Sequence, residues 1–353
     1  MATWDEYPAD YRKKEITRIL TAVRAGECVS VIGLSGAGKS NLMGFLAGRC
    51  GDGDPQMVLV DGNRAQPRSA SGLFRLARQA FGNRETAADE FSALDAAATG
   101  RLQSSSKHLS LLFDRYDAIG EEEQQLAAGP LRALRDANKY QLTYILATRR
   151  PLNQENELAE LFYAHTIWLG PLSQADGLWS AGQYAARRGI TWDEAILTRL
   201  YEISWGYPSL LRACCEAYAD GAPLEPDALR SHPILQRRVK EFWADQPSAE
   251  DLRHSGISGL PLLGAVPTRI QANSPDLTAS EHHLLAFFQA HPGDVCAKDD
   301  LIRAVWPEDR VSDGLRDDSL AQLVRRLRQK IEADPAKPQH IVTIPGRGYR
   351  YVA

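Results

Sequence analysis

Residues 33–40 read Gly-Leu-Ser-Gly-Ala-Gly-Lys-Ser and fit the pattern GxxxxGK[ST] at every fixed position. A short β-rich run, ECVSVIG (27–33), precedes them, and a helical pattern, NLMGFLAGR (41–49), follows. No other feature constrains the fold as much. A glycine-rich loop between a strand and a helix turns its backbone N–H groups inward, and the helix N-terminus behind it favours negative charge. The loop therefore suits phosphates, and its expected ligands are ATP or ADP with Mg2+. Gly33, Ser35, Gly36, Ala37, Gly38 and Asn41 are the expected nucleotide-binding positions around Lys39 and Ser40. Lys39 is expected to reach the β and γ phosphates, and the Ser40 hydroxyl to bind the metal. A glycine-rich turn that happens to carry Lys-Ser is the competing reading, and the strand–loop–helix setting speaks against it.

Further apolar runs, MVLVDG (57–62), HLSLLFD (108–114), TYILAT (143–148) and TIWLG (166–170), read as buried strands, and GLFRLARQAF (72–81) reads as a helix. Strands alternating with helices predict an α/β fold with a parallel sheet covered on both faces. From about 171 only helical patterns follow, which predicts a helical lid lobe. The expected division is an ATPase core over 1–170, the lid over 171–245, a Pro/Gly/Ser-rich linker over 246–276 and a separate C-terminal domain over 277–353.

Composition narrows the classes further. A net charge of −4 excludes a chain that is polybasic throughout. Five cysteines (Cys28, Cys50, Cys214, Cys215, Cys296) form no CxxC pair, which argues against a disulfide framework or a zinc site and for a cytoplasmic protein. The first 14 residues lack the apolar stretch of a signal peptide, and no run approaches the roughly 18 apolar residues a membrane span needs. No membrane partner is expected.

The stretch LLFDRYDAIG (111–120) ends an apolar strand in Asp114, the natural second anchor for Mg2+. Arg115 stands where a water-activating acid is often found, and Asp117 follows three places after Asp114. Thr148 and Arg149 end the next strand, beside the place of a γ phosphate, where a cation stabilises phosphoryl-transfer charge or reports that phosphate. A solvated Arg-Arg pair is the plain alternative. SWGYPSLL (204–211) puts Pro208 at a helix start, which is also ordinary helix punctuation.

The order of these motifs, with a Gly-Pro-Leu-Ser segment at 170–173, resembles a STAND-type AAA+ ATPase, related to NB-ARC switches and MalT-type regulators, over roughly residues 1–240. The resemblance implies that Arg149 contacts the γ phosphate and Pro208 the adenine. It offers Arg12 and Glu15 as loosely matched flanking residues. DRYD is similar to relatives whose acid comes three places on, which implies Asp117 as the group that polarises water. Slow hydrolysis, suited to a timed switch, is the expected activity.

The last 77 residues carry a different chemistry. In SLAQLVRRLRQKIEADP (319–335), Leu320, Leu323, Val324, Leu327 and Ile331 recur at helical spacing, while Arg325, Arg326, Arg328 and Lys330 lie between them. HIVTIPGRGYRYVA (340–353) alternates about a glycine-rich tip and reads as a hairpin. A basic helix on a hairpin fits a DNA groove, and also fits a merely solvated surface. Together with LTASEHHLLAFF and KDDLIRAVWP, these residues resemble the OmpR-type winged helix-turn-helix. That resemblance implies contact with double-stranded DNA through Arg325, Arg326, Arg328 and Lys330, and through Thr343 and Arg347 on the wing. Pro345 stands where many relatives have a basic residue, and the loop that can face RNA polymerase in relatives is acidic here (Glu308, Asp309, Asp313, Asp317).

The expected whole is an ATP-controlled regulator of transcription, with RNA polymerase or a signalling protein as further partners and a nucleotide-dependent homo-oligomer as one possible form. Alternatives are a replication, plasmid or mobile-element initiator and a defence-type STAND ATPase whose winged helix binds protein.

Overall fold

A computed structural model describes residues 4–50, 53–83, 87–105, 107–264, 278–291, 293–305, 313–332, 338–344 and 347–352. Two compact units divide the chain, Met1–Ala265 and Val266–Ala353.

In the first unit, β1 (Val29–Ile32), β2 (Gln56–Asp61), β3 (Leu109–Asp114), β4 (Leu142–Thr148) and β5 (Thr166–Trp168) form one parallel sheet in the order β2-β3-β4-β1-β5. Every residue of β1, β3 and β4 is buried, so these strands are mostly apolar, as a sheet covered on both faces requires, with Ser30, Ser110 and Thr143 as polar residues inside them and Asp114 and Thr148 at their ends. The edge strands β2 and β5 are only partly buried. Helices α1 (Lys13–Arg24), α2 (Lys39–Cys50), α3 (Ala70–Ala80), α4 (Glu90–Ser104) and α5 (Glu121–Ala137) belong to this layer. Because β4 lies between β1 and β3, the strand ends at Ile32, Thr148 and Asp114 come out side by side. This strand order with the loop after β1 is the P-loop NTPase architecture.

The helical lobe comprises α6 (Gln174–Arg187), α7 (Glu194–Ser204), α8 (Pro208–Ala219), α9 (Pro226–Ser231) and α10 (Pro233–Ala244). The segment from 246, expected as a linker, begins instead as packed structure. A Ser248–Asp251 capping box starts α11 (Ala249–His254), and a 3-10 turn follows at Pro261–Leu263. Leu252, Ile257, Leu260, Leu262 and Leu263 are buried, and Trp243 Nε1 donates to Leu263 O at 3.0 Å. Glycine and proline here shape turns and helix starts within a fold. The rest of the expected linker, 265–277, lies outside the described residues.

An N-terminal strap joins core and lobe. Trp4 lies against α2, where a Cβ on Gly44 or Gly48 would come within 2.5 Å of its ring atoms. Tyr7 and Tyr11 pack on Phe45 of α2 and on Trp179 of α6, with ring centroids 4.6–6.3 Å apart.

The second unit is a winged helix. Its helices are α12 (Ala279–Ala290), α13 (Lys298–Val305) and α14 (Asp313–Ile331). Beside them β6 (Val295–Cys296), β7 (Ile341–Ile344) and β8 (Gly348–Tyr351) form an antiparallel sheet in the order β6-β8-β7. A Thr278–Glu281 capping box starts α12. The apolar face expected on α14 is inside: Leu320, Leu323, Val324 and Leu327 are buried with Leu284, Phe288 and Ile341. The acidic positions Glu308 and Asp309, and Pro345, lie outside the described residues. Among the described residues no helix is long and apolar enough to cross a membrane.

Candidate functional site

β1 delivers the chain to Gly33, whose N–H donates to Thr148 O at 3.1 Å, so the loop opens beside the end of β4. Gly36 and Gly38 sit at φ +82° and +90°, a left-handed backbone that side chains with a Cβ rarely adopt. Lys39 folds back over this turn. Its ammonium donates to Gly33 O and, at 3.4 Å, to Leu34 O. Burial pulls the Lys39 pKa down to about 8, against the opposing pull of Asp117 and Asp114. Ser40 and Asn41 are exposed in the first turn of α2.

Asp114 is 6% exposed at the end of β3. Burial raises its pKa, while a hydrogen bond from the Ser40 side chain lowers it and the neighbouring Asp61 charge raises it further. Its Oδ1 is buried with no hydrogen-bond partner. A carboxylate with a spare, desolvated oxygen beside a hydroxyl is a hard-oxygen donor set that fits Mg2+, which takes one or two protein ligands and completes its shell with phosphates and water. Among the described residues no group of three or more His, Cys, Asp or Glu could make an all-protein cage.

Arg115, in the left-handed region at φ 52°, turns the chain after β3 into a 3-10 turn, Tyr116–Ile119, which carries Asp117 back toward β4. There Arg149 Nε donates to Asp117 Oδ2 at 2.6 Å. The same guanidinium donates through Nη1 to Asp245 Oδ1 at 3.0 Å. The Asp117 hydrogen bond is the main reason the Arg149 pKa lies above its ordinary value. Thr148 is buried and its hydroxyl donates to Arg150 O at 2.7 Å.

The helical lobe closes on the loop through the start of α8. Tyr207 Oη donates to Ser35 O at 2.7 Å and Ser209 N donates to Gly36 O at 3.1 Å. Pro208 stands within 3.4 Å of where a Gly38 Cβ would be. A Cβ on Gly36 would fall 2.0 Å from Ser209 Oγ, so only glycine fits this approach. Arg12, left-handed at φ 46° and 2% exposed, ties three parts together. Its Nη2 donates to Ala37 O and Gly170 O, both at 2.9 Å, and its backbone N–H donates to Asp176 at 3.1 Å. Glu15 lies 3.5 Å from its Nη1.

In the second unit the six expected DNA residues divide by what they touch. Arg325 and Arg326 are exposed on α14, and so is Arg347 beyond β7. Arg328 turns inward: Nε and Nη2 donate to Ile341 O at 2.9 and 2.6 Å, and Nη2 donates to Thr343 Oγ1 at 2.8 Å. Lys330 Nζ donates to Glu281 Oε2 at 2.7 Å, and Arg326 Nε lies 4.0 Å from the same carboxylate. Burial would raise Glu281, but the Lys330 and Thr278 hydrogen bonds outweigh it and hold its pKa low. Glu332 is also held low despite burial, because it accepts the backbone N–H of Ile341, His340 and Gln339. Arg328 and Glu332 thus fasten α14 to the wing hairpin.

Known proteins resemble the chain piecewise. The family described as "Transcriptional regulatory protein, C terminal" matches residues 272–351. The C-terminal unit is a winged-helix domain of that type. A probable transcriptional regulatory protein of Picosynechococcus sp. is 34% identical over 139 residues, 38% of this chain and 53% of the relative. The alkaline phosphatase synthesis transcriptional regulatory protein SphR of Synechococcus elongatus is 34% identical over 118 residues, 33% of this chain and 42% of its own. The chain thus spans about half the length of the relatives it matches. Among solved structures, a Walker-type ATPase of Pyrococcus abyssi is 12% identical with a TM-score of 0.45, covering 96% of this chain and 92% of its own. The DNA-binding domain of E. coli CadC is 33% identical with a TM-score of 0.18, covering 22% and 68%. The fold of the first unit rests on its strand order and loop, independently of these structural likenesses.

Sequence patterns did not point to Asp245, Ser209, or the Tyr207 hydroxyl. In the lobe segment SWGYPSLL the proline carries a sequence signal, while Tyr207 and Ser209 carry none. A faint signal existed for Asp245: an acid at a helix C-terminus faces the negative end of the macrodipole and calls for a compensating cation.

Proposed function

We propose that the chain is an ATP-binding, slowly hydrolysing STAND-type switch that controls a DNA-binding output, most plainly a transcriptional regulator. The observation that carries this reading is the convergence of Lys39, Ser40, Asp114 and Arg149 at three adjacent strand ends, on a chain that also carries a winged helix. In this reading Gly33–Asn41 cradles the phosphates, Ser40 and Asp114 hold Mg2+, and Lys39 leaves its loop carbonyls for the β and γ phosphates. Mg2+, when bound, neutralises charge on the phosphate oxygens. Pro208 lies against the base, Arg149 serves the γ phosphate, and Asp117 polarises the attacking water. A general base needs a free acceptor within hydrogen-bond reach of that water. Asp117 shares its carboxylate with Arg149, which supports slow turnover. On the output side Arg325, Arg326 and Arg347 meet bases or phosphates, Thr343 lies on the wing that follows the backbone, and Arg328 and Lys330 present the helix.

The test is DNA binding by full-length chain with ATP, ADP or neither, alongside Lys39→Ala. The expected result is that nucleotide changes DNA affinity or sedimentation in the wild type, and that Lys39→Ala abolishes nucleotide binding and freezes one behaviour. Identical gel shifts and sedimentation under all conditions would sink the switch. Mapping of bound DNA to single promoter sites supports a regulator; clusters of iterated sites with duplex melting would point to an initiator.

A further inference from the structure

One guanidinium joins carboxylates from two lobes. Arg149 donates to Asp117, which follows β3 in the core, and to Asp245, which ends α10 in the helical lobe. Its side chain is 50% exposed, so it can change partners without opening the core. It follows Thr148, whose carbonyl accepts the Gly33 N–H, and therefore stands beside the phosphate loop. Asp245 is built into its place. Its Oδ2 is buried without a partner. Arg150 Nη2 covers the carbonyls of Asp245 and Gln246 at 2.7 and 2.9 Å, a cation at a helix C-terminus. The same helix reaches the loop on its other side, because Phe242 packs edge-on against Tyr207, whose hydroxyl holds Ser35 O.

We propose that Asp245 is a specificity-determining residue for the nucleotide: by holding Arg149, it lowers the preference for a nucleoside triphosphate over a diphosphate. The inference rests on the reading of Arg149 as the γ-phosphate contact. A terminal phosphate is a third acceptor for this guanidinium and has to compete with Asp245. A diphosphate offers no competitor, so Arg149 stays bridged to both carboxylates. The triphosphate alone draws the shared cation away from α10, and Arg150 then remains as the contact from β4 to that helix end.

The experiment is calorimetric titration of the full chain with Mg2+ and either ADP or a non-hydrolysable ATP analogue. Asp245→Asn removes the charge and keeps the shape. Expected is a triphosphate Kd roughly two- to fivefold tighter, the scale of a partly exposed ion pair, with the ADP Kd unchanged. In an Arg149→Ala background the same substitution should move neither. Equal shifts for both nucleotides, or none, overturn the proposal and leave nucleotide binding itself intact. A wild type that binds neither nucleotide overturns the functional reading and this inference with it. Should Asp245→Asn fail to fold, the wild type supplies the readout: hydrogen exchange at the last turn of α10 rises with the triphosphate and not with ADP, and equal exchange refutes the idea.

Discussion

Asp114 shows what one buried carboxylate costs the fold. Its carboxylate is desolvated and one oxygen has no partner, so its pKa lies above the ordinary 3.8. The folded state holds the proton more tightly than the unfolded state, so the penalty grows as pH rises past 3.8 and is complete above the folded-state pKa. Asp114→Asn should therefore be more stable than wild type at pH 7, by about 1 kcal/mol, with the gain fading toward pH 4. The same variant should lose the Mg2+-dependent part of nucleotide affinity. Thermal melts across pH, with and without Mg2+, check both halves, and a destabilised variant at pH 7 would contradict the account.

At the scale of elements, α14 and the wing behave as one piece. Arg328→Ala removes a guanidinium that ties α14 to Ile341 O and Thr343, and should destabilise the C-terminal unit by about 1–2 kcal/mol. Arg326→Ala, on the exposed face, should leave stability within about 0.5 kcal/mol while lowering DNA affinity and the salt slope by about 1. Melting curves and salt-dependent binding separate the two, and interchanged phenotypes would reverse the assignment. These elements also show what sequence can tell. The inner strands of the parallel sheet were legible because burial on both faces leaves long, mostly apolar stretches, as in YILA of β4. The loop was legible because glycine geometry leaves a fixed spacing. Helix α5 was not, since Gly129 and Pro130 inside it read as punctuation. Helix α4 was not either, because only Glu90, Leu94 and Ala98 of its 15 residues are buried. Expected DNA contacts at Arg328 and Lys330 were legible as charge, but their partners, 15 and 49 residues away in sequence, were not. The Arg149–Asp245 pair spans 96 residues and leaves no local pattern at all.

For the whole molecule, two units with separate cores should give two melting transitions, and nucleotide should raise chiefly the first. Mg2+-ADP at a hundred times its Kd should stabilise that unit by about 2.7 kcal/mol, and Lys39→Ala should erase the shift. Calorimetry resolves the two transitions; a shift confined to the second would invert the division of labour. The N-terminal strap adds a property of another kind. Trp4, Tyr7, Tyr11 and Trp179 form a chain of rings on the helix behind the phosphate loop and the first helix of the lobe, with Tyr7 only 4.6 Å from Trp179. Excitation energy absorbed by the tyrosines passes to the tryptophans at such spacings. In a chain of seven tryptophans, the seam between core and lobe thus carries its own optical label, set there by the first dozen residues.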